Sequence, residues 1–222
     1  MPSPFQLVDS VETNEGLLAL RRRRDEWMVT IAGRVLMSSS LHRSEDAVAR
    51  LGVGPIAARP RPRVLIGGLG LGFTLRAALD ALPKSARVTV AELNGRVVDW
   101  CRGPVAPAIR DAANDPRVTI EVANVMDVIR RSTGLDAIVV DLYEGPRELP
   151  RGVPDKLYGE RAIEAIRASL APEGIYAVWS EEPYAPFEAR LRRAGFAVAR
   201  IHAGRGGARH AVYVARLESR RR

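Results

Sequence analysis

The stretch RVLIGGLGLGFTLR at residues 63–76 decides the fold of this chain. Its residues Val64 to Ile66 are all apolar, which is typical of a parallel strand buried on both faces. A glycine-rich turn follows, and from Phe73 to Leu82 apolar residues recur at helical spacing. Glycine permits positive φ and close approach of a ligand, and a helix N-terminus offers free N–H groups. The pattern predicts a nucleotide-binding turn built from Gly67, Gly68, Gly70 and Gly72.

An acid at the end of the second strand supports this interpretation. Glycine turns also occur wherever a strand turns sharply into a helix, but the predicted strand Arg87–Glu92 ends in an acid at the spacing typical of a dinucleotide or adenosyl site. There Glu92 would bind ribose hydroxyls, with Leu93 beside it; the alternative is a solvent-exposed glutamate. Asn124, followed by Val125, comes after the third predicted strand, and its amide can pair with an adenine edge. Its alternative role is N-cap of the helix that begins at Val125.

The net charge of +8 comes almost entirely from arginine, since only Lys84 and Lys156 are lysines. The arginines are dispersed, and the runs at 21–24 and 220–222 have no interleaved aromatic residues for base stacking, so a nucleic-acid partner is not expected. No apolar run reaches about 18 residues, and the N-terminus lacks a signal-peptide pattern, so no membrane span is expected. The single cysteine, Cys101, excludes an internal disulfide and a Cys-rich metal site. We therefore expect a cytoplasmic protein without a metal.

Hydrophobic patterning divides the chain into two parts. Residues 1–60 contain short apolar segments separated by turn residues, which predict a small N-terminal β-meander of three or four strands. A helix over Ser44–Leu51 follows, with Ser44 as its N-cap. The stiff RPRP segment at 59–62 marks the boundary. Residues 61–222 alternate strands and helices, which indicates an α/β catalytic domain with a doubly wound, Rossmann-like sheet.

The later elements of this second part follow from the same patterns. Helices are predicted over Asn94–Arg102, Asp155–Leu170 and Ala185–Ala194. Strands are predicted over Val118–Val122, Leu135–Asp141, Gly174–Trp179, Phe196–Ile201 and His210–Arg216. The glycine-rich connector at 203–209 is predicted to be a mobile hairpin loop.

Acidic residues follow the fourth and fifth strands of this sheet, where open α/β sheets bind their ligands. Asp141 and Glu144 end the fourth strand, and Glu181 follows the fifth. Acids concentrated in a protein of net charge +8 favour a cationic substrate such as an amine or a sulfonium. Asp141 would orient an incoming ammonium and take its proton, and Tyr143 would supply a hydroxyl or an aromatic wall. The alternative for the glutamates is solvation of loops.

Several of these segments resemble spermidine synthases. They are GGLGLG at 67–72, AELN at 91–94, DAIVVD at 136–141, LYGE at 157–160 and GIYAVWSEEP at 174–183. The front segment resembles the small N-terminal β-domain of that family, so the likeness covers nearly the whole chain. The resemblance implies the class I S-adenosylmethionine methyltransferase fold. It also implies a homodimer that transfers an aminopropyl group from decarboxylated S-adenosylmethionine to a diamine, leaving methylthioadenosine.

The same resemblance implies roles for residues, and it has departures. Glu92 would bind ribose, Asn124 would stand near adenine and Asp141 would orient the attacking amine, with Glu144 as the second acid after the fourth strand. The family's glycine loop carries an aspartate where this chain has Gly70, and the glutamine of its fifth strand is replaced by Trp179. The Tyr-His-Glu of the family's N-terminal region is replaced by the SED segment at 44–46. The nucleoside-binding frame is therefore kept while diamine-binding positions are altered.

Three functions are compatible with this pattern. The first is a spermidine synthase-like transferase that uses S-adenosylmethionine or its decarboxylated form as co-substrate and a small-molecule amine as acceptor. The second is an S-adenosylmethionine-dependent methyltransferase of a small molecule or peptide, which the altered diamine positions favour. The third is a binding protein that holds an adenosyl nucleoside, or RNA through its arginines, without catalysis.

Overall fold

The computed structural model describes residues 3–143, 145–150, 153, 155–203 and 210–218. Its first unit is an antiparallel sheet in which each strand pairs with the next along the chain. The strands are β1 (Gln6–Thr13), β2 (Gly16–Arg23), β3 (Glu26–Ile31) and β4 (Arg34–Ser38). This confirms the predicted β-meander. Strand β1 was not among the segments read as strands because it is an edge strand without a buried apolar face.

The second sheet has seven strands among the described residues, in the order β10-β11-β9-β8-β5-β6-β7. Strands β5 to β9 pair in parallel, and β11 runs antiparallel to both of its neighbours. The predicted Rossmann-like α/β sheet is therefore confirmed. Its strands are β5 (Arg63–Gly67), β6 (Arg87–Glu92), β7 (Val118–Val122), β8 (Leu135–Val140), β9 (Leu170–Ser180), β10 (Phe196–His202) and β11 (Ala211–Leu217).

Six α-helices accompany these sheets in the described part of the chain. They are α1 (Arg43–Val53), α2 (Phe73–Ala81), α3 (Gly95–Arg102), α4 (Val125–Arg131), α5 (Glu160–Ser169) and α6 (Ala185–Arg193). None of the helices in that part has the length and hydropathy needed to cross a bilayer.

The N-terminus of α1 differs from its prediction. The helix begins at Arg43 with His42 as N-cap, and no side chain caps it. Ser44, the predicted N-cap, lies inside the first turn, where its hydroxyl donates to the Glu45 carboxylate at 2.6 Å. The predicted end at Leu51 was also wrong, because the helix continues through Gly52 to Val53. Both residues are buried, so tertiary packing keeps this glycine helical against its intrinsic propensity.

Helix α5 is shorter than the predicted Asp155–Leu170. The Asp155 carboxylate accepts hydrogen bonds from the backbone N–H groups of Leu157 and Tyr158 and so closes a separate turn ahead of the helix. Gly159 is the N-cap of α5. At the other end Leu170 is already extended, and β9 starts there instead of at Gly174.

Helix α1 joins the two sheets. Val48, Ala49 and Val53 on its inner face are fully buried in a core that also contains Leu20 of the N-terminal sheet and Ile66 of the large sheet. Since one continuous core serves both sheets, residues of the N-terminal segment are held rigidly against the large sheet. The boundary between residues 1–60 and 61–222 stays a prediction from composition.

We expect Gly52→Ala to lower stability, although alanine is favoured over glycine in a helix by about 1 kcal/mol. A Cβ at Gly52 would lie 2.7 Å from Cγ2 of Val139 and 2.9 Å from Cβ of Ala177, both in the sheet beneath. Overpacking of this kind costs about 1–3 kcal/mol. Urea denaturation measures the change. Gly95→Ala is the matched control, because the nearest atom to a Cβ there lies at 3.8 Å. Equal effects in the two variants would contradict the close packing of α1.

Candidate active site

The glycine turn after β5 lies directly against the end of β8. The Asp141 N–H donates to the Gly67 carbonyl at 3.0 Å, and the Gly68 N–H donates to the Ala91 carbonyl at 2.9 Å. Gly68 has φ of +93°, and a Cβ there would lie 2.5 Å from the backbone oxygen of Asp141. Glycine is therefore required at this position, because any side chain would force the turn away from the strand end that carries Asp141.

The N-terminal sheet covers the next part of the turn. Gly70 has φ of +53°, and a Cβ there would lie 2.8 Å from Sδ of Met37 in β4. The buried Cys101 thiol donates to the Gly70 carbonyl at 3.2 Å. Burial, together with the nearby Glu92 carboxylate, raises the pKa of Cys101 to about 12, so the thiol stays neutral and acts as a donor to the turn. Met37 therefore leaves no room at residue 70 for an acidic side chain.

Glu92 connects the turn to the end of β6. Its two carboxylate oxygens accept hydrogen bonds from the backbone N–H groups of Leu69 and Asn94, each at 2.9 Å. Each carboxylate oxygen can accept more than one hydrogen bond, so the group keeps capacity for hydroxyl donors of a ligand. Glu92 is partly exposed and lines the larger cavity at this edge of the sheet.

The larger cavity has a volume of about 520 Å³. Small-molecule sites typically enclose about 300–1,000 Å³ with largely apolar walls, so this cavity has the size of a nucleoside site. Its walls include five residues that the sequence predicts to bind the nucleoside, namely Gly68, Glu92, Leu93, Asn124 and Val125. Three cationic side chains, Arg130, Lys156 and Arg161, also line it.

Asn124 has the capping role that was the alternative in the sequence. It is the N-cap of α4, and its Oδ1 accepts a hydrogen bond from the Met126 N–H at 2.9 Å. The amide nitrogen makes no hydrogen bond within the described residues, so one end of the side chain caps the helix while the other stays available at the cavity wall. The capping role and the ligand role of Asn124 are therefore compatible. Leu93, which lines the same cavity, is 74% exposed.

A second, smaller pocket of about 80 Å³ adjoins the first. Leu142, just after the end of β8, lines both. Gly70, Asp141 and Tyr143 of the predicted site line the small pocket. The N-terminal segment supplies Leu36, Met37, Ser44 and Glu45, and the large sheet and α2 supply Phe73, Thr74 and Trp179.

Asp141 is the chemically distinctive group of the small pocket. Burial and, to a smaller extent, the nearby Glu45 carboxylate raise the pKa of its carboxyl to about 7, against the opposing effect of a hydrogen bond from the Thr74 hydroxyl. A carboxyl that titrates near neutral pH can accept a proton from a substrate and release it again. The arrangement is therefore suited to general-base chemistry on a cationic group.

Sequence reasoning did not identify Thr74 or Glu45 as part of the site. Thr74 lies in the first turn of α2, which the glycine turn directs at the end of β8. Glu45 lies in α1, and only the shared core brings it next to Asp141. The resemblance placed the SED segment at 44–46 among the altered diamine-binding positions, but no sequence pattern linked Glu45 to Asp141.

The remaining predicted residues are exposed or lie outside the described part of the chain. Tyr143 is 46% exposed, and the Arg34 guanidinium lies 5.9 Å from its ring centroid. Glu181 is exposed and lines neither of the two cavities. Glu144 and residues 204–209 of the predicted mobile loop lie outside the described residues. In the part of the chain that is described, no group of three or more His, Cys, Asp or Glu side chains is arranged to hold a metal ion.

Comparison with known proteins supports the resemblance. No protein-family model matches the chain. A polyamine aminopropyltransferase from Nitrosomonas europaea is 32% identical over 139 residues, which cover 60% of this chain and 39% of that protein. The chain spans between 36% and 42% of the length of the curated relatives it matches, all of which are named polyamine aminopropyltransferases.

Solved structures extend the likeness to nearly the whole fold. A spermidine synthase from Thermotoga maritima matches with a TM-score of 0.71 at 20% identity, covering 95% of this chain and 72% of that one. A spermidine synthase in complex with the transition-state analogue AdoDATO matches with a TM-score of 0.70 at 20% identity, over the same shares of the two chains. The chain therefore shares the fold of spermidine synthases and is a distant sequence relative of polyamine aminopropyltransferases.

We expect Glu45→Gln to lower the titration midpoint of Asp141 below about 7, because it removes a carboxylate that disfavours ionisation of Asp141. Carbon-13 NMR of the aspartate carboxyl carbons measures the midpoint as pH is varied. Glu164→Gln, the same change on the exposed face of α5, is the control and should leave the midpoint unchanged. An unchanged midpoint in Glu45→Gln would show that the two carboxylates do not interact.

Proposed function

We propose that this chain is a transferase that moves an aminopropyl group from decarboxylated S-adenosylmethionine to an amine. The observation that carries the proposal is the Asp141 carboxyl, with its raised pKa, in a small pocket that shares the lining residue Leu142 with a nucleoside-sized cavity. The relatives named polyamine aminopropyltransferase and the shared spermidine synthase fold support the same reaction class.

The larger cavity would hold the adenosine part of the donor. Glu92 would accept hydrogen bonds from the ribose hydroxyls, and the free amide nitrogen of Asn124 would donate to the adenine edge. Leu93 and Val125 would supply apolar surface for the purine ring. With the nucleoside placed so, the sulfonium would lie near Leu142, which lines both spaces.

The reaction would take place in the small pocket. The Asp141 carboxylate takes a proton from the acceptor's ammonium, and the free amine attacks the carbon of the propyl arm that is bonded to sulfur. The new C–N bond forms as the C–S bond breaks, and its electron pair stays on sulfur, which becomes the neutral thioether of methylthioadenosine. Holding both reactants in this geometry can supply roughly 7–11 kcal/mol of the barrier reduction.

The charge of the small pocket favours a decarboxylated donor. Glu45 and Asp141 line it, and none of its described lining residues is Lys, Arg or His. A donor arm that ends in an ammonium meets opposite charge there, whereas a carboxylate on the same arm would meet like charge.

Methyl transfer from S-adenosylmethionine is the second candidate. The volume of about 80 Å³ favours it, because a methyl group needs less room than a propyl arm. A donor carboxylate would then have to turn toward Arg130, Lys156 or Arg161 at the larger cavity.

The homodimer and the cytoplasmic location implied by the sequence stay predictions.

Asp141→Asn should lower kcat/KM by about 10²–10⁴-fold, because the amide cannot accept the proton from the acceptor's ammonium. Binding of 5′-methylthioadenosine should be nearly unchanged, since the nucleoside contacts lie in the other cavity. Release of 5′-methylthioadenosine, followed by chromatography, measures turnover. Asp99→Asn on the exposed side of α3 is the control for the same chemical change. Undiminished turnover in Asp141→Asn would remove this residue from the mechanism.

The dependence of kcat/KM on pH should follow the ionisation of the Asp141 carboxyl. Its raised pKa means that Asp141 is protonated below about 7 and becomes a base above it, so kcat/KM should rise as pH increases through about 7. The ammonium of a simple amine titrates near 10 and does not obscure this limb. Initial rates measured from pH 5.5 to 8.5, a window chosen around the expected midpoint, test the prediction. A flat profile across that window would contradict it.

Calorimetry with the two donors separates the two candidate functions. We expect decarboxylated S-adenosylmethionine to bind about tenfold more tightly or better, because like charges at close range weaken the carboxylated form. 5′-Methylthioadenosine, which has no charged arm, is the reference for the nucleoside contribution. Tighter binding of S-adenosylmethionine itself would favour methyl transfer over aminopropyl transfer.

A further inference from the structure

The described part of the chain gives the Asp141 carboxyl a single hydrogen-bond donor. Its Oδ2 atom accepts a hydrogen bond from the Thr74 hydroxyl, and its Oδ1 atom accepts none from the described residues. The last torsion of an aspartate side chain has broad energy wells, so an unheld carboxyl turns easily. The Thr74 contact therefore distinguishes the two oxygens, and it leaves Oδ1 for a ligand in the small pocket that Asp141 lines.

Thr74 does not have the usual structural role of a threonine near the start of a helix. It is the second residue of α2, whose N-cap is Gly72, and no side chain caps that helix. A threonine in such a place commonly bonds a nearby backbone group, whereas the Thr74 hydroxyl bonds a residue 67 positions away in the chain. Thr74 is 3% exposed, so water hardly competes for its hydroxyl. The contact therefore joins the start of α2 to the end of β8.

The other titratable groups around Asp141 do not hold its carboxyl. Glu45 of α1 lines the same pocket, and its carboxylate disfavours the ionised form of Asp141. The buried Tyr158 hydroxyl makes no hydrogen bond within the described residues, and burial together with Asp155 and Asp141 raises its pKa, so it stays neutral. Tyr143 lines the pocket but is 46% exposed. The orientation of the carboxyl thus depends on Thr74.

We propose that Thr74 is a positioning residue for the proton transfer, because it holds Oδ2 of Asp141 and so leaves Oδ1 to face the acceptor and take its proton. This inference rests on the proposed function, which makes Asp141 the base. As an N–H bond of the acceptor's ammonium breaks, its electron pair stays on nitrogen and the proton binds Oδ1. Oδ2 of the neutral carboxyl can still accept the Thr74 hydroxyl, so the contact survives the transfer. Thr74 itself gains and loses no proton.

Thr74→Val removes the hydroxyl and keeps the branched shape of the side chain. With decarboxylated S-adenosylmethionine and 1,4-diaminobutane, kcat/KM on the high-pH plateau should fall about 10–100-fold, because a small misplacement of a reacting group is costly. Thr74→Ser keeps the hydroxyl and should recover most of the loss. Thr30→Val is the matched control, since Thr30 is a buried threonine of β3 that lines neither cavity. A native rate in Thr74→Val, or an equal loss in Thr74→Ser, would overturn the inference.

The direction of the pH shift separates positioning from a merely structural role. The Thr74 hydroxyl favours the ionised form of Asp141, so its removal should raise the pKa of Asp141 further and move the rising limb of kcat/KM to higher pH. If Thr74→Val only loosened the packing of α2, water would reach the carboxyl and the limb would move to lower pH. Thr74→Ser should keep the native limb. An unmoved or lowered limb in Thr74→Val would contradict the proposed role.

Carbon-13 NMR of the Asp141 carboxyl separates this inference from the proposed function, because it needs no turnover. The titration midpoint is measured in the protein saturated with 5′-methylthioadenosine. Absence of turnover with every amine and both donors would refute the proposed transferase, yet a higher midpoint in Thr74→Val and a native one in Thr74→Ser would still support the hold of Thr74 on the carboxyl. A midpoint that Thr74→Val leaves unchanged would overturn the inference, even where the native protein turns over.

Discussion

The glycine turn and the end of β8 approach so closely that a Cβ at Gly68 would lie 2.5 Å from the backbone oxygen of Asp141. The large cavity and the small pocket both lie beside this contact, and Leu142 lines both. The chemistry that we propose depends on this contact, since transfer requires the sulfonium and the amine to be adjacent.

The N-terminal sheet turns an open sheet edge into an enclosed site. Its strand β4 places Met37 over Gly70, and α1 places Glu45 beside Asp141. Both additions change Asp141, because they remove water from its carboxyl and set a like charge beside it, and its pKa rises to about 7. Such a carboxyl lowers stability at pH values above its ordinary pKa, where the unfolded chain would have released the proton. The continuous core that joins the two sheets offsets this cost.

Much of the fold could be predicted from local patterns. The apolar run before Gly67, the helix after Gly72 and the acid at Glu92 each depend on residues that are neighbours in sequence, and all three appear in the structure as expected. Boundaries that depend on tertiary contacts were wrong. Helix α1 extends through Gly52 because close packing against the sheet beneath keeps this glycine helical. Helix α5 starts late because the Asp155 carboxylate closes a separate turn ahead of it.

For the candidate site the division is similar. The sequence by itself determined which chemical groups stand at the strand ends, including Glu92, Asn124 and Asp141, because the period of strands and helices sets those positions. Only the tertiary structure decided how these groups behave. The volume of the small pocket, the pairing of Asp141 with Thr74 and its closeness to Glu45 arise from segments far apart in the chain. Solvation and enclosed volume are properties of packed surfaces, and no local pattern in a sequence encodes them.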